Sequence, residues 1–166
     1  MIHPIIEKFI CSDLEKIMIK AEDVASLIST HTLGHGLLVL SQVKYSLIPV
    51  LSTKSQLVGL ISMPLIINAA MTIDSIDLSL LDERKISNAM EKMPRTVTLD
   101  TELEVILHLL IDQNFVCVTD PDNDNRFIGL ITRKEIMKRL NYFIHNISYD
   151  DSFIVYLESL LGQTAK

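Results

Sequence analysis

Cysteine is scarce in this sequence: Cys11 and Cys117 stand far apart, and no CxxC occurs. That argues against a disulfide framework and for a reducing compartment, with both thiols read as small core hydrophobes. Basic charge is short as well. Fifteen Lys and Arg face twenty-one Asp and Glu, a net charge of −6, whereas a general nucleic-acid binder carries a basic excess clustered on one face. Any anionic ligand must therefore find a local basic spot. Long apolar runs are missing too; none approaches the roughly 20 residues that a bilayer span needs. Met1 to Ile10 lacks a basic leader and includes Pro4, Glu7 and Lys8, so it does not read as a signal peptide. The expected location is the cytoplasm, which makes the sequon Asn146-Ile147-Ser148 a chance match. No GxSxG, GxGxxG or Walker-type loop is found, and no Cys, Ser or Lys stands beside an obvious base, so an enzyme has no visible machinery here.

What is present is an apolar fraction of 48% over 166 residues, enough to bury a core in one compact domain or a fused pair of small ones. It is also a repeated chain. Val58-Gly59-Leu60-Ile61-Ser62 recurs as Ile128-Gly129-Leu130-Ile131-Thr132, an offset of 70 that also carries Leu33 to Leu103, Leu37 to Leu107, Tyr45 to Phe115 and Ile48 to Val118. Upstream the offset becomes 72, pairing Met18 with Met90 and Ala25 with Val97, so two extra residues are expected near 26–31. Such self-similarity means that one structural unit is used twice.

Hydrophobic periodicity gives each unit the same order. Ser12 reads as a cap for a turn at Asp13 to Met18. Val24 to Ile28 reads as a strand, and Thr32 caps a helix to Lys44 with a stripe of Leu33, Leu37, Leu38 and Leu40 or Ser41. Gly34 and Gly36 cost this helix about 1 kcal/mol each, so close packing against a neighbour is expected there. Leu47 to Leu51 and Leu57 to Ile61 form a hairpin, whose Pro49 calls for an edge or for pairing on one side only. Ser62 caps a helix to about Ala70, with Pro64 in its first turn. After a polar connector with helical character at Leu78 to Leu81, the pattern repeats. Ile86 to Met90 leads into a strand at Arg95 to Leu99, and Asp100 is the expected cap for a helix over Thr101 to Gln113. Phe115 to Thr119 and Phe127 to Ile131 form the second hairpin, and Thr132 starts a helix to about His145. Apolar residues after Ser148 suggest one more helix.

Two metal-like patterns read better as ordinary structure. Asp120, Asp122 and Asp124 imitate a calcium loop, but Asn125 and Ile131 stand where its Gly and Glu belong, so this is a hairpin tip. His31 and His35 are four apart, yet Thr32 breaks the HExxH pattern. Thr132-Arg133-Lys134 is more informative. A helix amino terminus presents unpaired N–H groups and partial positive charge, and cations in its first turn oppose that dipole. An anion such as phosphate, held by amides, a hydroxyl and a guanidinium, would remove the conflict.

Two copies of strand, helix, strand, strand, helix, each closing on hydrophobic-Gly-Leu-Ile-Ser/Thr, resemble a tandem pair of CBS domains, the regulatory module that binds adenine nucleotides. The implied fold class is α/β (α+β), two units related by pseudo-two-fold symmetry: a first domain at 12–71, a connector at 72–85, a second domain at 86–145 and a tail at 146–166. Ile19 to Ala25, His35 to Leu40, Tyr45 to Leu51, Asn114 to Val118 and Gly129 to Arg133 make the sequence similar to small stand-alone CBS-pair proteins of Gram-positive bacteria that bind cyclic di-AMP, the CbpB or DarB type.

The resemblance implies a non-enzymatic homodimer without cofactor or metal. It would hold cyclic di-AMP and switch its interaction with a protein partner such as a Rel-type (p)ppGpp synthetase of the stringent response. Neither nucleic acid nor membrane is an implied partner. Carried over by position, Asp23 and Ala25 border the ligand, Tyr45, Ser46 and Leu47 surround a base, Ile131 and Thr132 end the phosphate-side strand, and Arg133 and Lys134 meet the phosphates. An aromatic ring can stack on adenine and a basic helix start can neutralise a phosphodiester. Asp23 and Lys134 stand where those proteins tend to have Lys and Arg, and Lys20 is expected to offset Asp23. The ribose-binding acid usual in CBS domains is Leu65 in the first unit and Glu135 in the second, which weakens an AMP, ADP or ATP reading. That reading and a ligand-free interaction scaffold are the alternatives.

Overall fold

The computed structural model describes residues 7, 10, 14–43, 45–72 and 75–147; the Ser12 cap, Cys11 and the helix expected after Ser148 lie outside them. In chain order the elements are β1 (Ile19–Lys20), β2 (Leu27–Ile28), α1 (Leu33–Gln42), β3 (Ile48–Leu51), β4 (Leu57–Ile61), α2 (Met63–Ala70), α3 (Ser79–Glu83), β5 (Glu91–Lys92), β6 (Thr96–Val97), α4 (Leu103–Asp112), β7 (Phe115–Asp120), β8 (Arg126–Thr132) and α5 (Arg133–Ile147). Short 3-10 turns at Leu14–Lys16, Ala21–Asp23, Ile86–Asn88 and Pro121–Asn123 join them.

The strands form two four-stranded sheets, ordered β2-β3-β4-β5 and β1-β8-β7-β6. Each holds one antiparallel hairpin, one parallel neighbour and one antiparallel strand borrowed from the other half of the chain: β1 pairs with β8, and β5 with β4. The cores are exchanged in the same way. Leu14 and Ile17 pack with Val97, Leu103 and Ile131 of the second half, while Ile86 packs with Leu27, Leu33 and Ile61 of the first.

The repeated glycines occupy the crossings. A Cβ on Gly59 would stand 2.6 Å from the Glu91 carbonyl oxygen and 2.8 Å from Met90 Sδ, and one on Gly129 would meet the Ile19 carbonyl and Met18. Neither glycine has positive φ, so what each supplies is space for the borrowed strand.

The pairing refines the repeat. Ile48 faces Ile61 and Val116 faces Ile131, so β3 and β7 are equivalent at an offset of 68, and Phe115 corresponds to Leu47 rather than to Tyr45. Both hairpins break register at the same place, after Val50 and after Val118. Leu27 faces Val50 as Val97 faces Val118, which makes Leu27, not Ala25, the counterpart of Val97. The two extra residues of the first half therefore lie between Lys20 and Leu27, earlier than expected, where the chain makes the Ala21–Asp23 turn.

Three caps form as the sequence predicts. Thr32 accepts from His35 N–H (3.3 Å), Ser62 from Leu65 N–H (3.4 Å) and Thr132 from Glu135 N–H (3.1 Å). Helix α4 differs: it begins at Leu103, and Asp100 does not cap it. The Thr101 hydroxyl instead accepts from Thr98 N–H at 2.9 Å and closes the preceding turn. On α1 the buried stripe is Leu33, Gly36 and Leu40, with Leu38 61% exposed. Gly36 faces the core because the Ile66 and Ile86 methyls already stand 3.0 Å from where its Cβ would be, and Gly34 lies against the Leu81 carbonyl of α3. Pro49 sits inside a sheet, but β2 reaches only Val50 and Leu51, so at Pro49 the strand pairs with β4 alone.

Alanine at Gly59 has to displace backbone and should cost about 1 to 3 kcal/mol. At Gly34, where a Cβ would lie 3.3 Å from Asp82 Oδ1 and 3.4 Å from the Leu81 carbonyl, the gain in helix propensity of about 1 kcal/mol offsets the contact. Urea midpoints are therefore expected to fall for Gly59→Ala and to stay near wild type for Gly34→Ala.

Candidate functional site: paired clefts at the seam

Where the two halves meet, the ends of the hairpins enclose a small apolar cleft of about 50 Å³. Its first wall is the segment entering β2, with Asp23 and Ala25. Its second is the segment entering β3, with Tyr45 and Leu47, and its third is Phe115 and Thr132 of the other half. Tyr45 is 60% exposed, so its ring forms the rim rather than the floor. Thr132 is the residue that caps α5, which directs the helix amino terminus at this wall.

A second hollow of about 570 Å³ is the pseudo-symmetric mate. Leu47 and Phe115 border both, Leu60 replaces Leu130, and Glu91 replaces Ile19. Its polar lining is Ser46, Glu91, Arg95, Asp112, Gln113 and Asn114, so carboxylates outnumber cations there. In the smaller cleft Asp23 is the one charged lining residue.

Of the residues read from the sequence, Asp23, Ala25, Tyr45, Leu47 and Thr132 share the small cleft. Ser46 lines the mate hollow. Ile131 is fully buried in the second core, and Lys134 is exposed and borders neither. Lys20 lines a different groove and so does not stand in the cleft to offset Asp23.

Arg133 is placed otherwise than the sequence suggests. Its Nε donates to the carbonyls of Leu110 (2.7 Å) and Gln113 (3.2 Å), and its Nη2 to those of Gln113 (2.8 Å) and Ile111 (3.1 Å). The last carbonyls of a helix lack intrahelical donors and carry partial negative charge. The carboxyl end of α4 thus supplies the negative partner that the sequence reading assigned to an anion. The guanidinium also ties the end of α4 to the start of α5 just beside the clefts. Phe115 lines the cleft but, like Ile19, Val24, Ile48, Pro49 and Leu130, was not among the site residues read from the sequence; the pairing, in which Val50 faces Gly59 and Val118 faces Gly129, gives the offset of 68 that matches it to Leu47.

Other chemically suggestive groups stand outside the two clefts. His31 and His35 pack edge to face at 4.5 Å between ring centroids, and no three metal-ligating side chains converge among the described residues. Asp120 accepts from Asp122 N–H, Asp124 accepts from Gln56 Nε2 at 2.6 Å, and Asp124 and Asn125 both have φ of 56°, the geometry of a tight hairpin tip. Glu135 lies 3.6 Å from both Lys138 and Arg139 on the outer face of α5. Burial raises the Cys117 thiol to about 12, which makes it an inert core group. No helix among the described residues is long and apolar enough to cross a membrane.

The family model for the CBS domain matches residues 85–142. That stretch is the second unit, and the first repeats its strand order and pairing, so the architecture is a CBS-domain pair. Cyclic di-AMP receptor B of Bacillus subtilis (strain 168) is 33% identical over 133 residues, covering 79% of this chain and 88% of that protein. The structure of Listeria monocytogenes CbpB in complex with c-di-AMP is similar at TM-score 0.73 and 38% identity, covering 80% of this chain and 97% of that one. CbpB from Streptococcus agalactiae matches at TM-score 0.77 and 30% identity, covering 90% and 92%. The chain belongs to the CBS-domain proteins of the CbpB type.

Two outcomes follow from the side-chain environments. Arg133→Ala strips the α4 carbonyls of their donors and should cost about 1 to 3 kcal/mol, with amide exchange speeding up at Gln113 and Asn114; Arg133→Lys, without the planar fork, should recover only part of that. For Cys117, the unfolded thiol ionises near pH 9 while the folded one keeps its proton to about 12. The unfolded chain binds fewer protons in that window, so stability falls as pH rises through it. Melting temperatures measured from neutral pH to pH 10.5 should drop less for Cys117→Val than for wild type.

Proposed function

We propose that this chain is a non-enzymatic cyclic di-AMP receptor acting in the cytoplasm, in which ligand held at the small cleft changes the hold on a protein partner. The observation that carries the reading is the cleft itself: an aromatic rim at Tyr45 opposite the wall of Phe115 and Thr132, the latter at the amino end of a long helix. A base stacks on such a rim. The Thr132 hydroxyl, the positive end of α5 and the mobile charge of Lys134 meet the phosphodiesters. In this reading Arg133 stays on the α4 carbonyls and acts as a positioning residue, holding Thr132 and Phe115 in register.

A cleft of about 50 Å³ lies well below the size of a nucleotide site, roughly 300 Å³ or more. Ligand entry therefore selects a wider form, and the exposed Tyr45 ring is the wall that can turn outward without disturbing the core. The positions of the usual ribose acid argue against an ordinary mononucleotide: Leu65 packs on the first core, and Glu135 pairs with Lys138 and Arg139. The mate hollow has the volume for AMP, ADP or ATP, which keeps that reading as the rival, but Glu91 and Asp112 on its wall repel phosphate.

Helices α1, α4 and α5 leave Leu38, Val105, Ile111 and Met137 exposed, which supports a homodimer built on helix faces. A Rel-type (p)ppGpp synthetase is the partner class implied by the family likeness, and a role in the stringent response goes with it.

Calorimetry with purified protein is expected to give saturable binding of cyclic di-AMP at micromolar or tighter affinity, without competition from AMP or ATP. Tyr45→Ala should lose about 1 to 3 kcal/mol of it. Asp23→Lys, which converts repulsion into attraction at the cleft wall, should tighten it by about tenfold. No heat at high micromolar ligand, or displacement by AMP, would overturn the proposal.

A further inference from the structure

At the far end of the second sheet, the hairpin tip and the Ala21–Asp23 turn border an open groove of about 790 Å³. Five carboxylates line it, Glu15, Glu22, Asp100, Asp120 and Asp122, against the two cations Lys20 and Arg126. Its apolar surface comes from Met18, Leu99, Phe127 and Ile128. The groove also contains the one buried polar residue among the described residues, Thr119, which is 3% exposed, lines the wall, and makes no side-chain hydrogen bond there. Its hydroxyl oxygen is not among the buried side-chain atoms that lack a partner; it is open to the groove, where a donor or acceptor from outside can reach it. The carboxylates do not converge into a metal site. A small cation would use the acidic rim and leave the apolar floor and the hydroxyl unmatched.

We infer that this groove docks a basic amphipathic segment of a partner protein, with Lys or Arg on the rim, apolar side chains on the floor and a backbone group on Thr119. The same turn joins this surface to the ligand cleft. Lys20, Ala21 and Glu22 line the groove, and Asp23, Val24 and Ala25 line the cleft. A ligand that moves Asp23 thus moves Glu22, and partner affinity follows cleft occupancy. This coupling rests on the receptor reading above; the groove does not.

The test uses the full chain and a short fluorescein-labelled peptide in which arginines alternate with leucines, followed by anisotropy. Wild type is expected to bind it saturably. Glu22→Gln/Asp122→Asn should weaken binding by about tenfold, whereas the charge-matched pair Asp82→Asn/Glu83→Gln on α3 should leave it within about twofold. Thr119→Val, checked for an unchanged fold by circular dichroism, should weaken it by about fivefold. Saturating cyclic di-AMP should shift peptide affinity. Absence of binding, or equal loss from both charge pairs, overturns the groove. Nucleotide heat in the calorimeter without any shift in peptide affinity overturns the coupling alone. A silent calorimeter overturns the receptor reading and leaves the peptide measurements to decide the groove.

Discussion

The structure depends on two crossings where a strand from one half of the chain passes over a glycine of the other. At each, a carbonyl oxygen and a methionine of the incoming segment fill the volume that a β-carbon would need, at Gly59 from Glu91 and Met90 and at Gly129 from Ile19 and Met18. Because each sheet has its fourth strand supplied by the opposite half, neither half completes its own sheet or its own core. The pseudo-two-fold arrangement is thereby a consequence of chain connectivity as much as of packing. Both crossings lie at the seam between the halves.

A seam of this kind also explains why the candidate site lies where it does. The two hairpins end side by side, and the clefts open between the ends of their strands. Both clefts form there, and Leu47 and Phe115 are shared between them. They are not alike. The Ala21–Asp23 turn inserts only in the first half and brings Asp23 and Ala25 onto the smaller cleft, while the mate keeps Glu91 and Asp112 on its wall. Two residues of extra chain are enough to give a duplicated fold two chemically distinct openings.

Much of this was legible in the sequence because it rests on local rules. Ser/Thr caps at Thr32, Ser62 and Thr132, the hairpins at Ile48–Ile61 and Phe115–Thr132, and the helix α2 follow from capping, alternation and turn chemistry over short windows. The repeat was legible as well, but a constant offset cannot register a hairpin whose loop is two residues longer, and so Phe115 was matched to Tyr45 instead of Leu47. The strand exchange was not legible. Segments of two residues such as β1 and β5 carry too little pattern to announce a partner, and Glu91 and Lys92 are exposed.

Arg133 marks the sharper boundary between pattern and structure. From sequence, cations in the first turn of a helix form an electrostatic conflict, and the inference that something negative must answer them is sound. The sequence does not say what. An anion is one answer; another is the unsatisfied carboxyl end of a neighbouring helix, which offers several carbonyls at fixed spacing and needs no ligand. Here α4 ends beside the start of α5 because β7 and β8, which separate them in the chain, form a hairpin that returns to its origin. Arg133 N–H donates to the Asn114 carbonyl (2.9 Å) while its side chain holds the carbonyls before it. The same topology that opens the clefts therefore commits the Arg133 guanidinium to the scaffold. In the receptor reading proposed above, charge at the ligand's phosphates then has to be met by other groups: a hydroxyl, a helix terminus and a lysine on a flexible stem.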